Sequence, residues 1–240
     1  MGWLPVGQAL GLRRPLRPRL SIMKWCLLML WCVSLAAARL ANAADVPRLY
    51  FSKSFPGSTP AFEAINVDKT GAGDYREEEH DDNPVRFQLS EPEVAGLFDL
   101  AAKLGYFDHP LESPLKVAFM GKKTFGFVDG ARKSEVQFNF SEDLSAQALA
   151  DWFERISESE QLLTNLQVSA KYDHLGVMKA VLLLEEAYDR KRLVDAPQYL
   201  PLLDRIAKNE SYMHQARMRA AGLADQFRCA ASPCAATPPK

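Results

Sequence analysis

Residues 122–140 read "KKTFGFVDGARKSEVQFNF", and this stretch decides the fold. Phe125 and Phe127 alternate with Thr124 and Gly126, Asp129-Gly130 supplies a turn, and Val136, Phe138 and Phe140 alternate with Glu135, Gln137 and Asn139. Alternation with a period of two puts one set of side chains on each face of a strand, and Asp-Gly between two such runs is a hairpin signal. The segment therefore predicts an antiparallel hairpin whose aromatic face needs cover, with strand patterning reaching back to Leu115.

Upstream, the segments near Leu49–Phe55, Phe62–Asp68, Asp74–Glu79 and Val85–Leu89 are short and rich in β-branched and aromatic residues. Gly, Pro, Asn and Asp separate them, so they read as further strands, with "DKTGAGD" (68–74) as a hairpin loop. Ser90 with Glu93 forms a capping pair, and Val94, Leu97, Phe98, Ala101 and Leu104 then recur at helical spacing as an apolar stripe. The stripe and the aromatic strand faces can share one core. Residues 44–156 are thus expected to form an antiparallel sheet with amphipathic helices on one face, an α+β arrangement. After Ser141 the pattern becomes helical: Leu144, Ala148, Leu149, Trp152, Phe153 and Ile156 make an amphipathic helix. Residues 157–226 read as a C-terminal helical bundle with turns at "YDHLG", "VDAP" and "KNES", and residues 227–240 as a disordered tail.

The N-terminus reads as an export signal. From Met23, "MKWCLLMLWCVSLAAARLANA" has a lone Lys24, an apolar run and a small-x-small site ending at Ala43, the pattern of a Sec-type signal peptide over residues 1–43. Met23 itself opens a complete signal. The apolar run is shorter than the roughly 20 residues that span a bilayer, so no stable membrane span is expected after cleavage. Six of the 29 basic residues and none of the 30 acidic ones lie in that leader. The exported part then carries 23 basic against 30 acidic residues, which disfavours nucleic acid as a partner. Its expected location is periplasmic or secreted.

Cys26 and Cys32 leave with the leader, and Cys229 and Cys234 remain in "RCAASPCAATPPK", where they can close a local disulfide in an oxidising compartment. No third Cys or nearby His completes a zinc set.

The strongest candidate for chemistry is "EEEHDD" (77–82), with Glu77, Glu79, His80 and Asp81 as candidate metal ligands. On an extended backbone Glu77 and Glu79 share one side and Glu78 and His80 the other, so the groups splay instead of enclosing a cation that wants about six to eight oxygens. A solvated connection leading to Asn83-Pro84 accounts for the polarity. "DKTGAGD" lacks the acidic third, fifth and twelfth positions of a calcium loop, and "GKKT" (121–124) lacks the upstream Gly of a phosphate loop. No Gly-x-Ser-x-Gly elbow is present, Ser58 sits in a Pro-bounded turn, and His80, His109, His174 and His214 are scattered. "DRKR" (189–192) reads as cations at a helix end. No cofactor is implied.

The stretches "LYFSKSFPGSTPAF" (49–62), "LKVAFMGKKTF" (115–125) and "LPLLDRIAKNESYMHQARMRAA" (200–221) together resemble a group of exported bacterial proteins of acidobacterial type with no assigned activity. The resemblance implies export and offers no catalytic residue to carry over. The expected function is a non-catalytic exported α+β protein that binds another protein or an envelope ligand. The alternative is a metal-dependent hydrolase using the 77–82 run with His109.

Overall fold

The computed structural model describes residues 46–231; the expected signal peptide, Cys234 and the end of the tail lie outside the described residues. Strands β1 (Arg48–Ser54), β2 (Phe62–Asp68), β3 (Ala72–Arg76) and β4 (Val85–Gln88) form a meander. Helix α1 (Glu91–Lys103) follows, then the hairpin β5 (Lys122–Asp129) and β6 (Arg132–Phe138). Four more helices follow among the described residues: α2 (Leu144–Tyr172), α3 (Val177–Asp189), α4 (Leu200–Lys208) and α5 (His214–Ala231), with a 3-10 turn at Ala196–Tyr199. The six strands make one antiparallel sheet in the order β4-β3-β2-β1-β5-β6. The fold is α+β, with a C-terminal helical region.

Register explains the core. Tyr75, Ile65, Phe51 and Phe125 lie in one row across the sheet, and Phe87, Val67, Leu49 and Phe127 in the next. All project from the face covered by α1 and α2. Val94, Leu97, Phe98 and Ala101 of α1 and Ala146, Leu149, Phe153 and Ile156 of α2 pack on them. Phe153 stacks on Phe51 with ring centroids 4.9 Å apart and planes 3° apart. Glu93 Oε2 accepts from Ser90 N at 2.8 Å, the backbone half of the expected capping pair. Asp143 caps α2 through Ser145 N at 2.7 Å. A second hydrophobic cluster gathers Leu166 of α2 with Val181, Leu184, Tyr199, Leu203, Ile206, Leu223 and Phe227.

Several expected boundaries move. The change at 156–157 is a change of core and not of chain: α2 continues through it for 29 residues, its first half covering the sheet and its second half entering the helical cluster. Leu144 and Ala148 face solvent, and Ala146 and Ala150 are buried instead, because the helix presents a stripe rotated from the expected one. Helix α5 runs to Ala231, so the expected disordered tail at 227–240 begins too early: Phe227 is fully buried against Tyr188 and Tyr199. Cys229 lies on α5 and is disulfide-bonded; Cys234 lies outside the described residues. Residues 115–121 do not join the sheet. Among the described residues no helix is long and apolar enough to cross a membrane.

Candidate functional site

The third row across the inner face of the sheet breaks the apolar rule. Glu63 pairs with Lys53, Lys53 with Lys123, and Lys123 with Phe138, in register with the core rows beside them. Alternation along β1 (Leu49, Phe51, Lys53) and β2 (Val67, Ile65, Glu63) carries these charged groups under α2, where a buried charge needs partners. Helix α2 supplies those of Lys53 and Glu63, and Asn139 O accepts from Lys123 Nζ at 3.3 Å. Glu154 Oε1 accepts from Lys53 Nζ at 2.9 Å, and Ser157 Oγ donates to Glu63 Oε2 at 2.5 Å. Lys53 Nζ also lies 3.8 Å from Glu63 Oε1.

From Ser157 the network runs along the helix and back into the sheet. The Gln161 amide donates to Ser157 Oγ at 3.3 Å and to Tyr75 Oη at 2.7 Å, and Tyr75 donates onward to Glu77 Oε1 at 2.9 Å. Each hydroxyl in this chain both gives and receives, which is how buried polar groups avoid a desolvation penalty. Burial is the chief influence on the Glu63 carboxyl and pushes its pKa up; the Ser157 hydrogen bond and the Lys53 charge oppose this, and Glu154 and Glu77 add to it. Burial likewise raises the Tyr75 phenol and lowers the Lys123 ammonium.

The row ends at a cleft of about 220 Å³. Its inner wall is Lys53, Glu63, Glu154, Ser157 and Gln161, with Glu158 beside them, and its outer wall is the loop carrying Phe55, Ser58, Thr59 and Pro60. That loop is braced from within: Phe55 N donates to Ala61 O at 2.9 Å, and the Ser58 hydroxyl lies 2.7 Å from Phe55 O and 2.6 Å from Pro60 O. Gly57 takes the left-handed conformation at the turn, with φ of 93°. Ser58 therefore serves the turn. Glu158 is held by Arg192 at 2.7 Å, and Arg192 also reaches Asp151 at 2.6 Å, so the "DRKR" stretch braces α2.

The acidic run is dispersed. Strand β3 ends at Arg76, short of the expected Glu79, so Glu77 and Glu79 do not share a face. Glu77 turns to Tyr75, whereas Glu79 lines a shallow concavity on the opposite face of the sheet with Tyr50, Ser52, Thr124 and Gln137. Asp81 Oδ1 accepts from Asn83 N at 2.8 Å, an Asx turn. His80 is exposed. Among the described residues no group of three His, Cys, Asp or Glu side chains is placed to hold a metal ion. His109 Nδ1 is 3.1 Å from Asp108 Oδ1 on an exposed loop, which holds the Asp108 carboxyl below its ordinary range. His174 packs edge-on to Tyr212, and His214 opens α5.

A second buried carboxylate lies nearby on α2. Glu160 is 2 % exposed; Gln198 donates to its Oε1 at 3.1 Å, and Oε2 has no hydrogen-bond partner among the described residues. Burial pushes its pKa up to about 7.

Neither polar cluster forms a motif along the sequence. Its signal was present in the alternation, which puts Lys53 on the face of Leu49 and Phe51, and in the helical spacing, which puts Ser157 and Glu160 beside Phe153 and Ile156. No protein-family model matches the chain, and no curated protein matches it either.

Proposed function

We propose that the chain is an exported, non-catalytic α+β protein that binds a ligand of the cell envelope, and that the ligand is a small molecule bearing an ammonium or guanidinium group seated in the cleft at Glu63. One observation carries this reading: a buried carboxyl, Glu63, faces a cleft that Glu154 and Glu158 also line, with Lys53 inside it and Arg192 bracing Glu158 from beside it. A cation entering there meets Glu63, which is buried and so attracts more strongly than in water, and Glu154, which is partly exposed. Phe55 and Pro60 supply an apolar wall for the ligand's hydrocarbon part. The cleft lies below the roughly 300 Å³ at which drug-sized pockets begin, which sets the ligand's scale.

The test is calorimetric titration with 1,4-diaminobutane and with arginine amide as probes. Saturable binding is expected, tightening as pH rises through the elevated range of Glu63, with a proton released as the cation binds. Glu63→Gln and Glu154→Gln should each weaken it. Equal binding by the Glu63→Gln chain, or none of either probe by the folded native chain, defeats the reading.

A further inference from the structure

We propose that the segment 115–122, "LKVAFMGK", seats the protein on the surface of an anionic phospholipid bilayer. Its alternating pattern predicts a strand, yet the sheet begins only at Lys122. Leu115 is 54 % exposed, Val117 38 %, Phe119 58 % and Met120 52 %. Single exposed apolar side chains are ordinary; four within six positions form a patch, and such patches mark surfaces that meet something else.

The segment is held out, not loose. Met120 N donates to Asn139 Oδ1 at 2.6 Å, Asn139 Nδ2 donates to Ala118 O at 3.1 Å, and Leu115 N donates to Ser113 Oγ at 3.1 Å. The Phe119 ring meets Phe55 edge-on at 5.9 Å. Gly121, with φ of 99°, turns the chain back into β5, and a Cβ there would lie 3.1 Å from that of Phe55. A fixed backbone with its apolar side chains in water spends less ordering entropy when those side chains are covered.

Charge selects the occupant. Lys116 lies between Leu115 and Val117 and Lys122 follows Met120 and Gly121; both are exposed, and neither forms an ion pair among the described residues. Of the nearby carboxylates, Glu112 accepts from Asn139 N and Glu142 from Ser113 Oγ, while Glu79 and Glu135 border the outer-face concavity that Lys122 also lines without pairing to either. Apolar tips interspersed with unpaired lysines, local cations in a chain that is acidic elsewhere, match a surface that is negative outside and hydrocarbon beneath.

Vesicle flotation of the full chain tests this, using phosphatidylcholine vesicles with and without phosphatidylglycerol at low and high salt. The native chain should float with the anionic vesicles at low salt and much less at high salt. Lys116→Glu/Lys122→Glu should lower partition by at least about 25-fold, from about fivefold per lysine removed. Phe119→Ser/Met120→Ser should lower it at every salt concentration. These side chains are exposed, so thermal midpoints should stay near native and exclude misfolding. Residues 1–45 are common to all variants, so the loop is read from the difference. Equal flotation by native chain and both variants overturns the proposal, as does no flotation of the native chain. So does a dimer in size-exclusion chromatography that both variants abolish without any vesicle binding, which would assign the patch to a second copy.

Discussion

Ser157 and Glu63 stand 94 residues apart in sequence and share one hydrogen bond across the seam between helix α2 and the sheet. The carboxyl is buried and the hydroxyl is its nearest donor, so the pair fixes how the helix sits over the charged row. Ser157→Ala strands a buried acceptor, and a loss of about 1–3 kcal/mol is expected in urea denaturation. The same change should raise the Glu63 pKa further, since the hydroxyl opposes the effect of burial; carboxyl infrared or NMR titration checks this. An unchanged Glu63 titration would show that the hydroxyl does not stabilise the charged form.

Glu160 sets a pH dependence. Its carboxyl is pushed from 4.5 up to about 7 by burial, partly opposed by Gln198 and reinforced by Asp195. A group with a higher pKa in the folded chain binds its proton more tightly there, so stability is greatest below the unfolded value and falls as pH rises between about 4.5 and 7. Asp195, pushed up to about 6 by burial and by Glu93, adds a slope of the same sign over a lower window. Glu160→Gln should flatten the curve above pH 4.5 and stabilise the chain at pH 8 by up to about 3 kcal/mol. Melting curves taken at several pH values decide it; a native slope that Glu160→Gln leaves intact assigns the effect to other groups.

Phe153 is fully buried and stacked on Phe51, beside Phe125. Phe153→Ala should cost about 3–5 kcal/mol. Leu166→Ala, in the other cluster, should cost about 2–5 kcal/mol. Because α2 belongs to both clusters, each variant should lower the same transition whether near-ultraviolet or far-ultraviolet signal is followed. Two separated transitions would show that the cores melt independently.

Two glycines respond oppositely to a methyl group. At Gly73 an added Cβ would lie 2.3 Å from the Phe87 ring and 2.8 Å from Asn66 O, so Gly73→Ala should destabilise by about 1–3 kcal/mol. Gly96 lies on α1, where the nearest atom to an added Cβ is 3.9 Å away on Trp152. Gly96→Ala should stabilise by about 0.5–1 kcal/mol, the helix preference for alanine. Equilibrium unfolding of the two variants side by side is the check.

What could be read from the sequence was whatever depends on near neighbours. The β5–β6 hairpin follows from Phe125, Phe127, Asp129-Gly130 and Val136, and α1 from its stripe and the Ser90–Glu93 pair. The candidate site depends on register. Lys53 and Glu63 look like ordinary surface charges until strand pairing sets them side by side and α2 is laid across them. Conversely, "EEEHDD" draws attention because its charges are adjacent in sequence, and adjacency is what sends them apart once β3 ends at Arg76. Residues 115–120 carry a strand pattern, but Asn139 takes up their backbone groups at Met120 and Ala118.

The unbroken passage of α2 from one core into the other leaves no hinge between them. Movement of two lobes about a break in α2 would therefore play no part in admitting the proposed ligand to Glu63. A ligand of the proposed kind would instead pass the loop bearing Phe55 and Pro60, the outer wall of the cleft.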